Sequence, residues 1–472
     1  MDTYSIDWSK KHILKLSNNP AFCSDEDITP EKALDQRKNI EPWLSAIFQS
    51  EHFSLLIGTG LTNAICYMAG VKPQDMGRLQ LTHKYKDFIK SHAESTAKNL
   101  DRGEANIEDD IRSANELITG LKILQNEEAD KLRSELDTQL YGFIGNVLKT
   151  ENEFYLKLNG ESNLEDHEKA LRSFTLLKSF LLSFASRAAS RERLAIFTTN
   201  YDRFIELGAD DSGIILLDRF KGKLTPIFRN TRLELDYHYN PPGIRGEPRY
   251  VEGVVRMTKL HGSIDWRFDH KRIVRCLLPF GADISHPDVP QPIKEGEKPK
   301  NNYQGVSDRV VIYPNSSKDI ETSFYPYAEL FRDFSSAICR PNSVIVTYGY
   351  GFGDSHINRN IEDMLTIPST HLVIIAWDKR GEKGDFGGVR ERIKKFYDKV
   401  GNSAQFTLLL GEHFADLETL VDYYLPKSTI DRITIRKQRL VNERGEGKNI
   451  VDNDTLRGDA AAQASGGEEK NN

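Results

Sequence analysis

Apolar residues fall along the chain in two rhythms. Residues 53–57 (FSLLI), 194–197 (LAIF) and 343–347 (SVIVT) are short runs with little polar alternation, each closed by glycine or polar turn residues. A fourth run, residues 371–377, ends at Asp378. Runs this short, apolar on both faces, suit central strands of a parallel sheet. Each precedes a stretch of helical character, at residues 61–69, 203–207, 354–365 and 388–400. Strand, polar loop and helix in repetition predict an α/β fold, a Rossmann-like parallel sheet flanked by helices.

The second rhythm occupies the interval between the first two strands. Ile111, Ala114, Leu117, Ile118, Leu121 and Leu124 recur at helical spacing, followed by Leu132, Leu136, Leu140, Phe143, Ile144 and Val147, then by Phe174, Leu177, Leu181 and Phe184. These stripes predict a helical insertion of three or more helices over residues 73–190. The remaining divisions are a first strand-and-loop segment at 1–72, the rest of the sheet domain at 191–425, and a C-terminal extension at 426–472. The acidic runs Glu108-Asp109-Asp110 and Glu127-Glu128-Ala129-Asp130 read as solvated faces and helix starts. Residues 284–302, with four prolines, read as a long surface loop, and residues 445–472 as a disordered tail.

Composition narrows the function classes. The 472 residues carry 64 Lys+Arg against 70 Asp+Glu, a net charge of −6, so no global basic field points to nucleic acid. No apolar run approaches the ~18 residues of a membrane span, and the first residues lack the order of a signal peptide, so the expectation is a cytoplasmic protein without a membrane partner. Four cysteines, Cys23, Cys66, Cys276 and Cys339, lie far apart without a CxxC pair. That argues against a thiolate zinc site and a disulfide framework.

Four loops carry candidate chemistry. Gly58-Thr59-Gly60-Leu61-Thr62 follows the first strand, where glycines let a phosphate approach the amides of the next helix; the plain alternative is a tight turn. Thr198-Thr199-Asn200-Tyr201-Asp202 closes the second run at the strand end where open α/β folds bind ligands; the plain alternative is a cap on the helix that follows, which suits Asp202 better than Asn200 because one cap is enough. His261-Gly262 presents an imidazole whose ordinary pKa suits general-base work, if His261 shares a crevice with Asn200. Gly349-Tyr350-Gly351-Phe352-Gly353-Asp354 offers a second backbone cradle with Asp354 as a helix cap, while His356 reads as structural. Asp378 could accept from a ribose hydroxyl or cap the next helix.

Taken in order, GTGLT at 58–62, TTNYD at 198–202, LHGS at 260–263 and GYGFGD at 349–354 resemble the sirtuin-like family, in the divergent bacterial branch found in antiphage defence proteins. The resemblance covers roughly residues 45–70 and 190–415. It implies that Gly58, Thr59, Gly60 and Thr62 hold the phosphates of NAD, with threonines where the family has Ala and Ser. It implies that Asn200 lies near the nicotinamide ribose with Thr199 and Asp202 around it, that His261 is the catalytic base, and that Gly349, Tyr350, Gly351 and Phe352 touch ribose and phosphates. Gly351 stands where this branch usually has Ser.

Sirtuin deacylases carry a four-cysteine zinc module that this sequence lacks. The resemblance therefore implies an NAD+ hydrolase, with water as acceptor and no metal. A non-catalytic NAD or ADP-ribose sensor and a deacylase or ADP-ribosyltransferase stand as alternatives. It further implies a homo-oligomer, with the apolar stripes of the insertion as its surface, or a HerA-type hexameric ATPase partner that gates the activity.

Overall fold

The computed structural model describes residues 6–74, 77–99, 104–187, 191–230, 235–239, 249–269, 272–292, 305–312, 326–380, 386, 388–401 and 403–427. The chain divides into two units, Met1–Pro426 and Lys427–Asn472. The fold below is that of the first. The predicted tail at 445–472 and the loop beyond residue 292 lie outside the described residues.

A nine-stranded sheet forms the frame, in the order Phe22–Ser24 (β2), His12–Leu16 (β1), Phe406–Leu410 (β16), His371–Ala376 (β15), Ser343–Tyr348 (β14), His52–Ile57 (β3), Ala195–Thr198 (β4), Val254–Lys259 (β10) and Ile215–Leu217 (β5). From β16 to β5 every pairing is parallel, and β1 and β2 add an antiparallel edge. The four apolar runs are the strands β3, β4, β14 and β15. β14 is buried at every position, as expected of a strand covered on both faces. A smaller sheet joins Phe220–Lys221 (β6), Ile227–Phe228 (β7), Gly262–Asp269 (β11), Arg272–Arg275 (β12) and Val310–Ile312 (β13), and His238–Tyr239 (β8) pairs with Arg249–Tyr250 (β9).

Helices among the described residues include Pro30–Phe48 (α1), Thr59–Met68 (α2), Lys86–Asn99 (α3), Ile107–Ile123 (α4), Glu128–Leu158 (α5), Leu164–Ala185 (α6), Phe204–Ser212 (α7), Val306–Arg309 (α8), Tyr327–Ile338 (α9), Ser355–Leu365 (α10) and Gly388–Val400 (α11). Their starts are chemically marked. Thr29 accepts from Lys32 N with Pro30 next to it, Asn106 and Asp109 form a capping box on α4, and Asn163 caps α6.

The predicted insertion is the run α3 to α6, packed into the sheet domain. Phe180 and Phe184 of α6 lie against Phe48, Phe53 and Tyr348, with ring centroids 4.6 to 6.1 Å apart. Such aromatic pairs add about 0.5–1.5 kcal/mol each beyond area burial. Ile111, Ile118, Leu132, Leu136, Phe143 and Ile144 share one core with Tyr201 and Ile264 of the sheet domain. Most of these stripes are thus buried inside the chain, while Leu124, at the end of the first, is exposed.

One acidic run departs from its sequence reading. Glu108, Asp109 and Asp110 do mark a helix start, but they are buried rather than solvated. Asp109 turns back to the Asn106 amide, and Asp110 receives Arg78 and the Leu79 amide.

At the start of β15, His371 meets Thr407 Oγ1 at 2.8 Å, and Thr407 also receives the Trp43 indole of α1. Burial, helped by the Lys15 charge, brings the His371 imidazole from 6.5 down to about 4. Between those values the unfolded chain binds a proton that the folded chain does not. The contribution is therefore complete above the unfolded value and is lost as pH falls towards 4. It amounts to roughly 3 kcal/mol. His371→Gln is expected to flatten the fall of the urea midpoint on acidification; an unchanged slope would show that His371 does not contribute.

Candidate functional site

Strand register gathers the four motif loops at one end of the sheet. Tyr348 of β14 pairs with Ile57 of β3, Ile57 with Thr198 of β4, and Thr198 with Lys259 of β10. The loops beginning at Gly349, Gly58, Thr199 and Leu260 therefore leave four adjacent parallel strands at the same level. Asn200 and His261 each lie two residues beyond the Thr198–Lys259 pair. The chain turns from one side of β3 to the other between β4 and β14, so the crevice at β3 and β14 is the switch point where open α/β sheets take ligands.

At that crevice the two glycine loops meet backbone to backbone. A Cβ on Gly58 would stand 2.4 Å from Gly349 O, and one on Gly60 would stand 2.4 Å from Gly349 Cα. Gly349 itself has φ +62° and would press on Gly60. Gly58 N donates to Tyr348 O and Gly60 N to Gly349 O. These three glycines are thus required by the fold itself, whatever ligand they face. Thr59, the first residue of α2, is exposed. Tyr350 and Phe352 turn their rings into the core, at 5 and 3 % exposure, and leave main chain and Gly351 for any ligand. Phe352 holds φ +52°, a costly conformation for a side chain of its size.

The loop after β4 is held residue by residue. Asn200 Nδ2 donates to Gly58 O at 3.1 Å and to Thr62 Oγ1 at 3.0 Å, while its Oδ1 has no hydrogen-bond partner although the residue is 2 % exposed. Tyr201 donates its hydroxyl to Glu108 Oε1 at 2.9 Å. Asp202 accepts from Thr62 Oγ1 at 2.8 Å and from Phe204 N at 3.3 Å, so it both caps α7 and supports the Asn200 network. Burial raises its carboxyl and the Lys259 ammonium draws it back down. Arg203 pairs with Glu151 at 2.5 Å, and Lys259 donates to Tyr201 O at 3.4 Å and to Glu206 at 2.9 Å. Thr199 donates its amide to Ile57 O at 3.3 Å.

His261 is 5 % exposed, on the turn into β11. Its Nε2 lies 3.0 Å from Asp354 Oδ2, and its Nδ1 lies 3.8 Å from Glu108 Oε1. Asp354 Oδ1 meanwhile caps α10 through His356 N at 3.2 Å. The imidazole thus has a carboxylate on either side, an arrangement that fixes the ring and favours uptake of a proton. Gly262, at φ +82°, lies so close to Val311 that no side chain fits. His356 packs edge-on against Phe331 at 4.1 Å, the structural role expected of it.

Asp378 lies just beyond β15, the strand next to β14. Arg390 Nε and Nη2 take its two oxygens at 2.5 and 2.8 Å, and Arg390 continues to the Lys11 carbonyl, so the carboxylate secures the approach to β1. Sequence reasoning missed Glu108, Glu151, Tyr201 and Arg203, and saw Asp354 only as a cap. The polar run from 198 to 203 was the available signal, but its partners lie on α4 and α5, far away in sequence. A separate cleft of about 630 Å³ opens at the starting ends of β3 and β4, and most of its arginines are tied to carboxylates, as in Arg219–Asp333 and Arg340–Glu192.

Among the described residues no helix is long and apolar enough to cross a membrane, and no group of three or more His, Cys, Asp or Glu is placed to hold a metal ion. Residues 194–396 match the SIR2-like domain family. The match supports a sirtuin-like fold and fits an enzyme that binds or uses NAD. It includes Asn200, His261 and Asp354, and begins after the Gly58 loop and the helices that carry Glu108 and Glu151. No curated protein matches the chain.

Proposed function

We propose that this protein hydrolyses NAD+ to ADP-ribose and nicotinamide. The observation that carries the reading is Asn200: both its amide hydrogens are used, and its buried Oδ1 lacks a donor. A buried acceptor in that condition costs about 1–3 kcal/mol, which a hydroxyl in the crevice would relieve. A ribose hydroxyl, or the water that attacks the sugar, is such a donor.

Cleaving the nicotinamide–ribose bond builds positive charge on the sugar, so the site has to orient the substrate and take up a proton. The water oxygen bonds to the anomeric carbon as the carbon–nitrogen bond breaks, and that bond's electron pair leaves with nicotinamide. His261 takes the water proton and passes it to solvent, with Asp354 fixing the ring. The start of α2, between Gly58 and Thr62, would take the phosphates in the manner of other helix N-termini, through amides other than those of Gly58 and Gly60, which are given to the Gly349 loop. Water is favoured over an acyl group as acceptor because the four dispersed cysteines supply no zinc module next to His261.

The reading extends to antiphage defence, with turnover gated by oligomerisation or by a HerA-type hexameric ATPase; the resemblance alone supports this part. The test is to incubate each size-separated species of the protein with NAD, with and without an acylated peptide and with and without a candidate HerA-type ATPase, and to chromatograph the products. Equal amounts of nicotinamide and ADP-ribose are expected without peptide. Turnover only with peptide, or none in any assembly state, would overturn hydrolysis, and full activity in a monomer would overturn gating by assembly.

A further inference from the structure

We propose that Glu108 is a positioning residue of the His261 site, so that helix α4 has to be seated for the site to work. The inference rests on His261 as the proton acceptor. Glu108 is the second residue of α4 and is 5 % exposed. Its two acidic neighbours face elsewhere, Asp109 to its own capping box and Asp110 to Arg78. Glu108 reaches out of the helical segment and accepts the Tyr201 hydroxyl at 2.9 Å, with the same oxygen 3.8 Å from His261 Nδ1.

Two carboxylates therefore flank one imidazole, from different parts of the fold. Asp354 comes from the glycine loop after β14, and Glu108 from a helix that precedes β4 by some 70 residues of chain. Burial and then the Glu108 charge keep the Tyr201 phenol protonated, so Tyr201 stays a donor to Glu108 and fixes the carboxylate. The partial positive charge of the α4 N-terminus favours the ionised form there. A carboxylate beside Nδ1 stabilises the imidazolium that His261 becomes on taking a proton. An amide of the same shape would satisfy Tyr201 but not the cation. Any movement of α4 removes Glu108 from Nδ1 and releases Tyr201, the neighbour of Asn200. The helical segment thereby controls both sides of the site.

Glu108→Gln separates charge from shape. Turnover of NAD at saturation is expected to fall about tenfold, one unit of differential interaction between the two imidazole states, with KM within twofold and the melting temperature unchanged. Glu108→Asp, which keeps the charge on a shorter arm, is expected to recover part of the loss. A Glu108→Gln protein with unaltered turnover, or one whose loss of turnover tracks a loss of stability, would overturn the proposal.

A second readout needs no turnover. With labelled histidine, assigned through His261→Ala, the His261 ring signal is followed against pH in NAD-free protein. Among the described residues the titratable groups around the ring are Glu108, Asp354 and Tyr201, with Tyr327 of α9 next beyond Gly262. Glu108→Gln is expected to move the midpoint to lower pH by about one unit; an unmoved midpoint would overturn the inference. If the unaltered protein releases no nicotinamide, the hydrolase reading fails, while this midpoint still decides the role of Glu108.

Discussion

His261→Ala is expected to lower nicotinamide release from NAD by about a hundred- to ten-thousand-fold, the usual worth of a positioned general base, while NAD affinity stays within a few fold. The two effects separate because, in the proposed reading, the glycine crevice and the Asn200 network would reach the substrate through other elements. Asn200→Ala should lower turnover as well, and should also weaken binding, since it cuts the ties to Gly58 O and Thr62 Oγ1 that hold two loops together. Turnover at saturating NAD, measured by chromatography, and affinity, measured by calorimetry on the inactive proteins, distinguish the cases. A His261→Ala protein that releases nicotinamide within threefold of the unaltered rate would remove His261 from the chemistry.

The second large effect concerns stability. Glu151 of α5 is fully buried, accepts the Arg203 amide at 2.8 Å and pairs with its guanidinium at 2.5 Å. Burial raises the Glu151 carboxyl while the Arg203 charge pulls it down. Glu151→Ala would leave a buried guanidinium without its counter-charge, a loss of about 3–5 kcal/mol. The double variant Glu151→Met, Arg203→Met should recover much of that loss, because it removes both charges and keeps the volume. Urea unfolding of the three proteins tests this. A Glu151→Ala loss below about 1 kcal/mol would mean that water or another group already compensates Arg203. Because Arg203 stands three residues from Asn200, the single variant should also loosen the loop that carries the amide.

Much of the frame was legible because the central strands are apolar on both faces and end in glycine or polar turns. FSLLI and SVIVT each follow that rule and became β3 and β14. β10 did not declare itself, since VVRMTK mixes Arg256 and Lys259 into its strand and Lys259 is buried only through partners outside it. β1 and β16 are similar cases, as the meaning of HILKL depends on its pairing with FTLLL at the other end of the chain. In the candidate site, sequence indicated Asn200, Asp202 and His261 as polar groups at strand ends. It could not indicate Glu108, because an acidic run at a helix start is ordinarily solvated. Only the tertiary packing that buries the first turn of α4 distinguishes this run from that case. The glycines at 58, 60 and 349 were read as cradles, and the structure adds that they are each other's neighbours.

The pairing of β1 with β16 also bears on when the protein can act. Lys15 Nζ donates to Ser403 O, 388 residues away, and the crevice itself needs β14 beside β3. During synthesis at about 5–20 residues per second, the ribosome has to release the segment through Asp354 before His261 can meet its carboxylate partner. The interval from the first glycine loop to that point is on the order of tens of seconds. A nascent chain, or one truncated before β14, would carry the Asn200 loop without the Gly349 loop. Under the proposed NAD hydrolysis, such a delay would confine turnover to chains translated at least through Asp354.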